Sequence, residues 1–264
     1  MIIKYILSTV LLMTCLSLLG QSLSVKTCKT CGKPLAQCEY KGKHPKPTSG
    51  QVTAEPALPS NPTSGFEIGH EWIDLGLPSG TKWATMNVGA TSPSDYGVYF
   101  AWGETSPKNS YDWRNLKYCT SGDSNDNVKF SKYVTDNKYG NVDGKEELDL
   151  SDDAAYVNWG VGWRIPSESQ QDELRNKCKW TWTTMEGHNG YIVVGPNGNS
   201  LFLPAAGSQY GSSSDYVGSA GHYWSRTLSY GHHACFLFID SYYHSKNIYS
   251  RCYGRSVRPV LSSE

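Results

Sequence analysis

The chain of 264 residues lacks a net charge, since 24 Lys and Arg stand against 24 Asp and Glu. That balance removes the chain-wide basic field that draws nucleic acid or an anionic membrane surface, so no nucleic-acid partner is expected. Beyond the first 23 residues no apolar run approaches the roughly 20 residues that span a bilayer, which leaves no transmembrane segment once a leader is removed. Two chemical signatures are missing as well. There is no Gly-x-Ser-x-Gly nucleophile elbow. The oxygen-rich stretches 121–127 and 136–144 lack the Asp/Asn spacing and terminal Glu of an EF-hand, and read as polar turns.

Aromatic residues are abundant: nine Trp, eighteen Tyr and six Phe, set among 26 Gly and 13 Pro. Such usage fits short strands and many turns better than a helical bundle. The expectation is an α+β domain with a small twisted antiparallel sheet, one or two helices and long loops.

The first 22 residues read as an export signal. Lys4 supplies positive charge, Tyr5–Met13 is almost wholly apolar, and Gly20 and Ser22 offer a cleavage point. The protein is therefore expected in the periplasm, on the outer cell surface or outside the cell. Cys15 is a poor lipid acceptor, with Thr14 before it and apolar residues after it. Residues 23–47 form a Lys-rich and Cys-rich knuckle, and 48–65 a Pro/Ser/Thr linker.

Within the knuckle, Cys28, Cys31, Cys38 and His44 make a complete tetrahedral zinc set, with Gly32 suited to the turn after the second thiol. An exported chain also meets oxidising machinery, so a disulfide with a spare thiol is the competing reading. A segment this short needs some staple to order, and without one it is disordered.

From 66 to 262 the sequence turns to aromatic blocks punctuated by Gly and Pro. Candidate strands are Glu71–Leu75, Lys82–Met86, Tyr99–Trp102, Tyr191–Val194, Ser200–Pro204, Tyr223–Ser225, Ala234–Ile239 and Ser256–Val260. Pro196-Asn197-Gly198-Asn199 reads as a hairpin turn, because Asn-Gly tolerates positive φ. Ser167 followed by Gln170 is a capping box after Pro166, which predicts a helix to Cys178. The acids Glu168, Asp172 and Glu173 then serve the helix dipole rather than catalysis. The polar stretch 105–150 reads as a surface excursion. Cys235 and Cys252 lie in or beside late candidate strands and are a candidate disulfide.

Several motifs in one order carry a resemblance: HEWIDLGLPSGTKWATMNVGA (70–90), YFAWGET (99–105), DDAAYVNWGVGWRIP (152–166), NGYIVVGPNGNSLFLPAAG (189–207), YWSRT (223–227) and GRSVRPV (254–260). Together they resemble the Fibrobacter succinogenes major paralogous domain, a family of exported Bacteroidetes proteins. More distantly, WRIPSESQQDEL and GRSVRPV are similar to signatures of formylglycine-generating-enzyme-like domains. The resemblance implies a C-type-lectin-like fold over 66–262. Two positions depart from it: Gln171 stands where relatives carry a helix Trp, and Met86 where they often carry a Cys that could pair with Cys178. The reactive, closely spaced copper-binding cysteines of the oxidase are also missing, since Cys235 and Cys252 are far apart in sequence. That oxidase, and a structural part of an envelope assembly, remain the alternatives to a binding role.

Residues 208–254 concentrate Tyr, His, Ser and Gly in the manner of binding loops, where rigid rings give contact area at little entropic cost. Aromatic faces also stack on sugars while their rims hydrogen-bond. The candidate contacts are Tyr216, His222, Tyr223, His232, Tyr242, Tyr243, His244 and Tyr249, supported by loops in 105–150. The ligand class expected is a glycan or a surface protein, bound without catalysis. Adjacent His232 and His233 are expected to point to opposite faces of a strand, and Phe236, Phe238 and Trp224 to be core.

Overall fold

Asp153 is wholly buried and starts a helix that the sequence pattern does not announce. Its Oδ1 accepts from the backbone N–H groups of Ala155 and Tyr156, and its Oδ2 from Arg164 Nε at 2.9 Å. One carboxylate thus caps a helix and anchors the Arg of the Trp-Arg-Ile-Pro motif.

The computed structural model describes residues 63–261. The signal segment, the Cys28–His44 knuckle and the linker up to 62 lie outside the described residues. In chain order the elements are β1 (Ser64–Glu67), β2 (His70–Asp74), β3 (Lys82–Ala84), β4 (Cys119–Ser121), β5 (Lys129–Phe130), α1 (Ala154–Trp159), β6 (Trp163–Arg164), α2 (Glu168–Lys177), β7 (Lys179–Met185), β8 (His188–Val194) and β9 (Ser200–Pro204). They continue with β10 (Ser208–Tyr210), β11 (Ser213–Asp215), β12 (Ala220–Leu228), β13 (His233–Asp240), β14 (His244–Ser250) and β15 (Val260–Leu261). The fold is mostly antiparallel β with two short helices. One sheet has the order β1-β2-β3-β15-β6, so the late strand β15 sits between early ones and ties the ends of the domain together. Two three-stranded sheets, β7-β8-β9 and β12-β13-β14, and the small hairpins β4-β5 and β10-β11 complete it.

Helix α2 forms as its sequence predicts. Ser167 Oγ accepts from the Gln170 backbone N–H and Gln170 Oε1 accepts from Ser167 N–H, a reciprocal pair that satisfies two orphan donors. The helix packs Leu174 into a core with Leu75, Trp83, Tyr191, Leu237 and Ile239. The hairpin at 195–199 is present, with Gly198 at φ +88°. Asn197 and Asn199 both donate to the Asp74 carbonyl, so this turn is clamped to the first sheet.

Three expectations change. Tyr99–Trp102 is no strand; only Phe100 bridges, exchanging both backbone hydrogen bonds with Arg255. Of Ser256–Val260, only Val260 enters a named strand. The stretch 105–150 is not a mere surface excursion, for Tyr111, Trp113, Leu116, Val128, Phe130, Val134 and Tyr139 build a core cluster of their own. It lacks periodicity because 3-10 turns and side-chain bonds to Asp143 and Asp152 hold it, in place of long regular elements.

Candidate binding groove

The sheet β12-β13-β14 decides which late residues meet solvent. Side chains alternate faces along a strand. On β13, Leu237 and Ile239 enter the core with Leu174, and Cys235 Sγ donates to Glu168 on α2 at 3.2 Å. Phe236, Phe238 and Asp240 face the other way and line a groove of about 690 Å3. His222 of β12 and Asn247 and Tyr249 of β14 share that face. The β10–β11 hairpin contributes Ser208 and Asp215, and the following turn Tyr216; the loop after β13 adds Tyr242, and the final segment Tyr253 and Arg255.

Two rings are presented outward by their turns. Tyr242 is 89% exposed, and its backbone N–H and that of Tyr243 both donate to Asp240 Oδ1, which fixes the loop. Tyr216 is 66% exposed and has φ +61°, a left-handed conformation unusual for a bulky residue. Its carbonyl accepts from Ser219 N, Ala220 N and Ser219 Oγ, so the surrounding turn holds the strained backbone in place.

His222 forms the groove floor between Phe236 and Phe238, with ring centroids 5.7 and 5.2 Å away. Its Nδ1 lies 3.2 Å from the Gly207 carbonyl oxygen, which can only accept, so Nδ1 carries the proton and Nε2 is an acceptor. Burial, reinforced by the Arg255 charge, pushes its pKa down to about 3, and the ring is neutral at physiological pH.

Tyr249 and Tyr253 separate this groove from a second depression of about 370 Å3, lined by Trp113, Tyr210 and the polar loop Asp123–Asp126. Tyr210 stacks on Tyr253 at 4.7 Å and Tyr249 meets Tyr253 edge-on at 4.9 Å, a row of rings between the two. Here the 105–150 segment and the 208–254 segment do come together.

The structure unites Tyr216, His222, Tyr242 and Tyr249, with Tyr243 beside them, its ring 5.5 Å from that of Phe238. It separates the rest. Tyr223 is 1% exposed and donates to the Pro204 carbonyl at 2.5 Å, so it is a core residue and not a contact. His244 stacks on Trp180 at 4.3 Å on the opposite face of the sheet. His232 is buried against Trp113 and Tyr139, where burial lowers its pKa to about 4. The His232 and His233 rings lie 3.9 Å apart, because His232 belongs to the turn before β13 and strand alternation does not apply to it. Phe236 and Trp224 are core as expected, with Phe238 packed against them, and the two Phe rings also line the groove. The polar and charged lining residues Asp215, Asp240, Asn247 and Arg255 were not named from the sequence. A signal for the last existed: between Asp240 and Glu264 the chain carries Lys246, Arg251, Arg255 and Arg258 and no acid.

The four described cysteines are separate thiols. Cys235 and Cys252 are free and buried, in contrast to the expected disulfide, since Cys235 turns toward α2 while Cys252 joins Tyr111 and Trp113 in another cluster. Burial pushes both thiols up to about 12 and Cys178 to about 11, which keeps them protonated and unreactive. Among the described residues no cluster of three or more His, Cys, Asp or Glu is placed to hold a metal ion, and no helix is long and apolar enough to cross a membrane. No family model, curated protein or solved structure matches the chain.

Proposed function

We propose that this chain is an exported, surface-associated binding protein whose domain has a C-type-lectin-like topology and recognises glycans through the groove on β12-β13-β14. The observation that carries this reading is the groove itself: Tyr216, Tyr242 and Tyr249 stand as exposed rings around a cleft of about 690 Å3. That volume is in the range of small-ligand sites. Rings of this kind stack on the apolar faces of pyranoses. Asp215, Asp240, Asn247 and the His222 Nε2 offer hydrogen-bond partners for hydroxyl groups. The signal-like first 22 residues support export, and the motifs between 70 and 260 support the fold and the envelope setting. Residues 23–47 would serve attachment, through zinc or through disulfides.

The test is a glycan array probed with the purified chain beside a Tyr242→Ala/Tyr249→Ala variant. Binding to a defined set of glycans that the double variant loses is the expected result. A folded chain that binds none of them, or a variant that binds as well as its parent, sinks the reading.

A further inference from the structure

Three arginines stand near the end of the domain, Arg251, Arg255 and Arg258, and none is more than 2% exposed. Two are held by oxygen. Arg251 donates to the carbonyls of Tyr133 and Gly231. Arg258 donates to Asn87 Oδ1 and to the carbonyls of Ala84 and Thr85. Arg251 and Arg258 each leave one buried nitrogen, Nε and Nη2 respectively, without a partner among the described residues, whereas Arg255 leaves two, Nε and Nη1.

Rings surround it instead. The Arg255 Cζ lies 3.5 Å from the centroid of Phe236, 4.4 Å from Trp224, 5.4 Å from Tyr249 and 5.9 Å from Tyr253. Ring faces offset part of the hydration lost on burial. They supply no acceptor for a planar fork of five N–H donors. Of the three arginines, Arg255 alone lines the groove. Its backbone is pinned to Phe100 by two hydrogen bonds of 2.9 and 3.0 Å, and its guanidinium is packed among the four rings.

Resting on the glycan-binding reading, we propose that Arg255 is the anion-binding residue of the groove and that the ligand is an acidic sugar, a pyranose bearing a carboxylate or a sulfate ester. Both groups match the guanidinium fork in a two-bond arrangement. The rim selects a sugar over an extended polyanion. Exposed Asp215 and half-buried Asp240 line the same groove, where they repel a run of negative charges and accept from hydroxyl groups. The neutral His222 offers Nε2 as a further acceptor. One cation at the base under a set of acceptors fits one anionic group on a ring of hydroxyls. Nε and Nη1 are out of solvent contact, and the Tyr249 and Tyr253 rings of the groove lining stand 5.4 and 5.9 Å from Cζ, so binding requires one of these rings to turn aside.

The experiment uses the purified full chain on an array holding neutral glycans, uronic-acid glycans and sulfated glycans, followed by titration of the best acidic ligand and its neutral counterpart. The expected result is at least tenfold tighter binding of an acidic ligand, falling as salt is raised. The acidic arm that binds distinguishes carboxylate from sulfate. In Arg255→Met, which keeps the packing on Phe236 and removes the charge, acidic and neutral ligands converge to within twofold. Should that variant not fold, Arg255→Lys keeps the charge without the fork and weakens the acidic ligand at least fivefold with the neutral one unchanged. Should neither fold, the preference of the parent chain and its salt dependence decide. Neutral and acidic glycans bound equally by the parent chain would overturn the role of Arg255 and leave glycan binding standing; no glycan bound would overturn both.

Discussion

His222 donates from Nδ1 to the Gly207 carbonyl, 3.2 Å away, and that bond couples the groove floor to the turn after β9. The ring is stable there only when neutral. Its pKa is depressed by burial to about 3, and that of His232 to about 4, against an ordinary value of 6.5. The unfolded chain therefore takes up protons as pH falls below 6.5 while the folded chain does not. Stability is full above pH 6.5 and declines toward pH 4, at up to about 1.4 kcal/mol per pH unit for each such histidine. Denaturant unfolding measured from pH 7.5 to 4 checks this, with His222→Phe expected to flatten the decline; an unchanged slope in the variant refutes the assignment.

Asp152 predicts a second contribution to acid unfolding, at lower pH. It is buried, with Lys117 Nζ and Tyr118 Oη on Oδ1 at 2.8 and 2.6 Å, and Lys132 and Tyr133 Oη on Oδ2. Burial raises its pKa, but the hydrogen bonds of the two lysines and two tyrosines outweigh it and hold the carboxyl well below the usual range. Its contribution is present above about pH 4 and is lost as pH falls below that, a window that starts where the decline from His232 ends and overlaps the last part of that from His222. Asp152→Asn removes the charge that compensates Lys132 and is expected to cost about 3 kcal/mol. Lys117→Met, at a partner 45% exposed, is expected to cost less than about 1 kcal/mol. Thermal melts of the two variants at pH 7 distinguish them.

Gln171 stands where the resemblance leads one to expect a Trp, and its amide does what a ring could not. Nε2 donates at 3.0 Å to the carbonyls of both Tyr223 and Trp224, joining α2 to β12. Gln171→Leu is expected to lower stability by about 1–3 kcal/mol through the carbonyls left short of donors. Glycan binding is expected to survive, since Gln171 lies outside the groove lining. Circular-dichroism melts and the binding assay read the two effects apart.

The buried thiols give a chemical test of the cysteine arrangement. Peptide-resolved alkylation of the native chain at pH 8 is expected to leave Cys235 and Cys252 unmodified, and to modify both after denaturation without reductant. A Cys235–Cys252 linked peptide under non-reducing conditions would contradict the structure.

The helix at 168–177 and the hairpin at 195–199 were legible because local chemistry determines them: a capping box and an Asn-Gly turn act over three or four residues. Helix α1 was not, because its cap Asp153 depends on Arg164, eleven residues away. The groove was legible in composition but not in parity. His222 and Tyr223 are neighbours of similar promise in sequence, and only the pairing of His222 with Phe238 across β12–β13 decides which one faces the groove. Arg255 escaped notice for the same reason, since its lack of an oxygen partner is a property of three dimensions.

Tyr216 offers the sharpest separation of function from stability. Its left-handed backbone at φ +61° is strained for a residue with a Cβ, and glycine adopts that region freely. The ring itself is 66% exposed and contributes little burial to folding. Tyr216→Gly is therefore expected to leave stability within about 1 kcal/mol of the parent, the relieved strain opposing the larger entropy of the unfolded glycine. Binding is expected to fall about fivefold to tenfold, in line with the roughly 1–1.5 kcal/mol that a well-placed aromatic contact supplies. Tyr216→Asn, which tolerates the same backbone region, should match the loss of binding with the turn intact. Paired melting and binding curves decide the matter: a drop of several kcal/mol in stability would mean that the turn exists for folding, and unchanged affinity would remove Tyr216 from the groove's working surface.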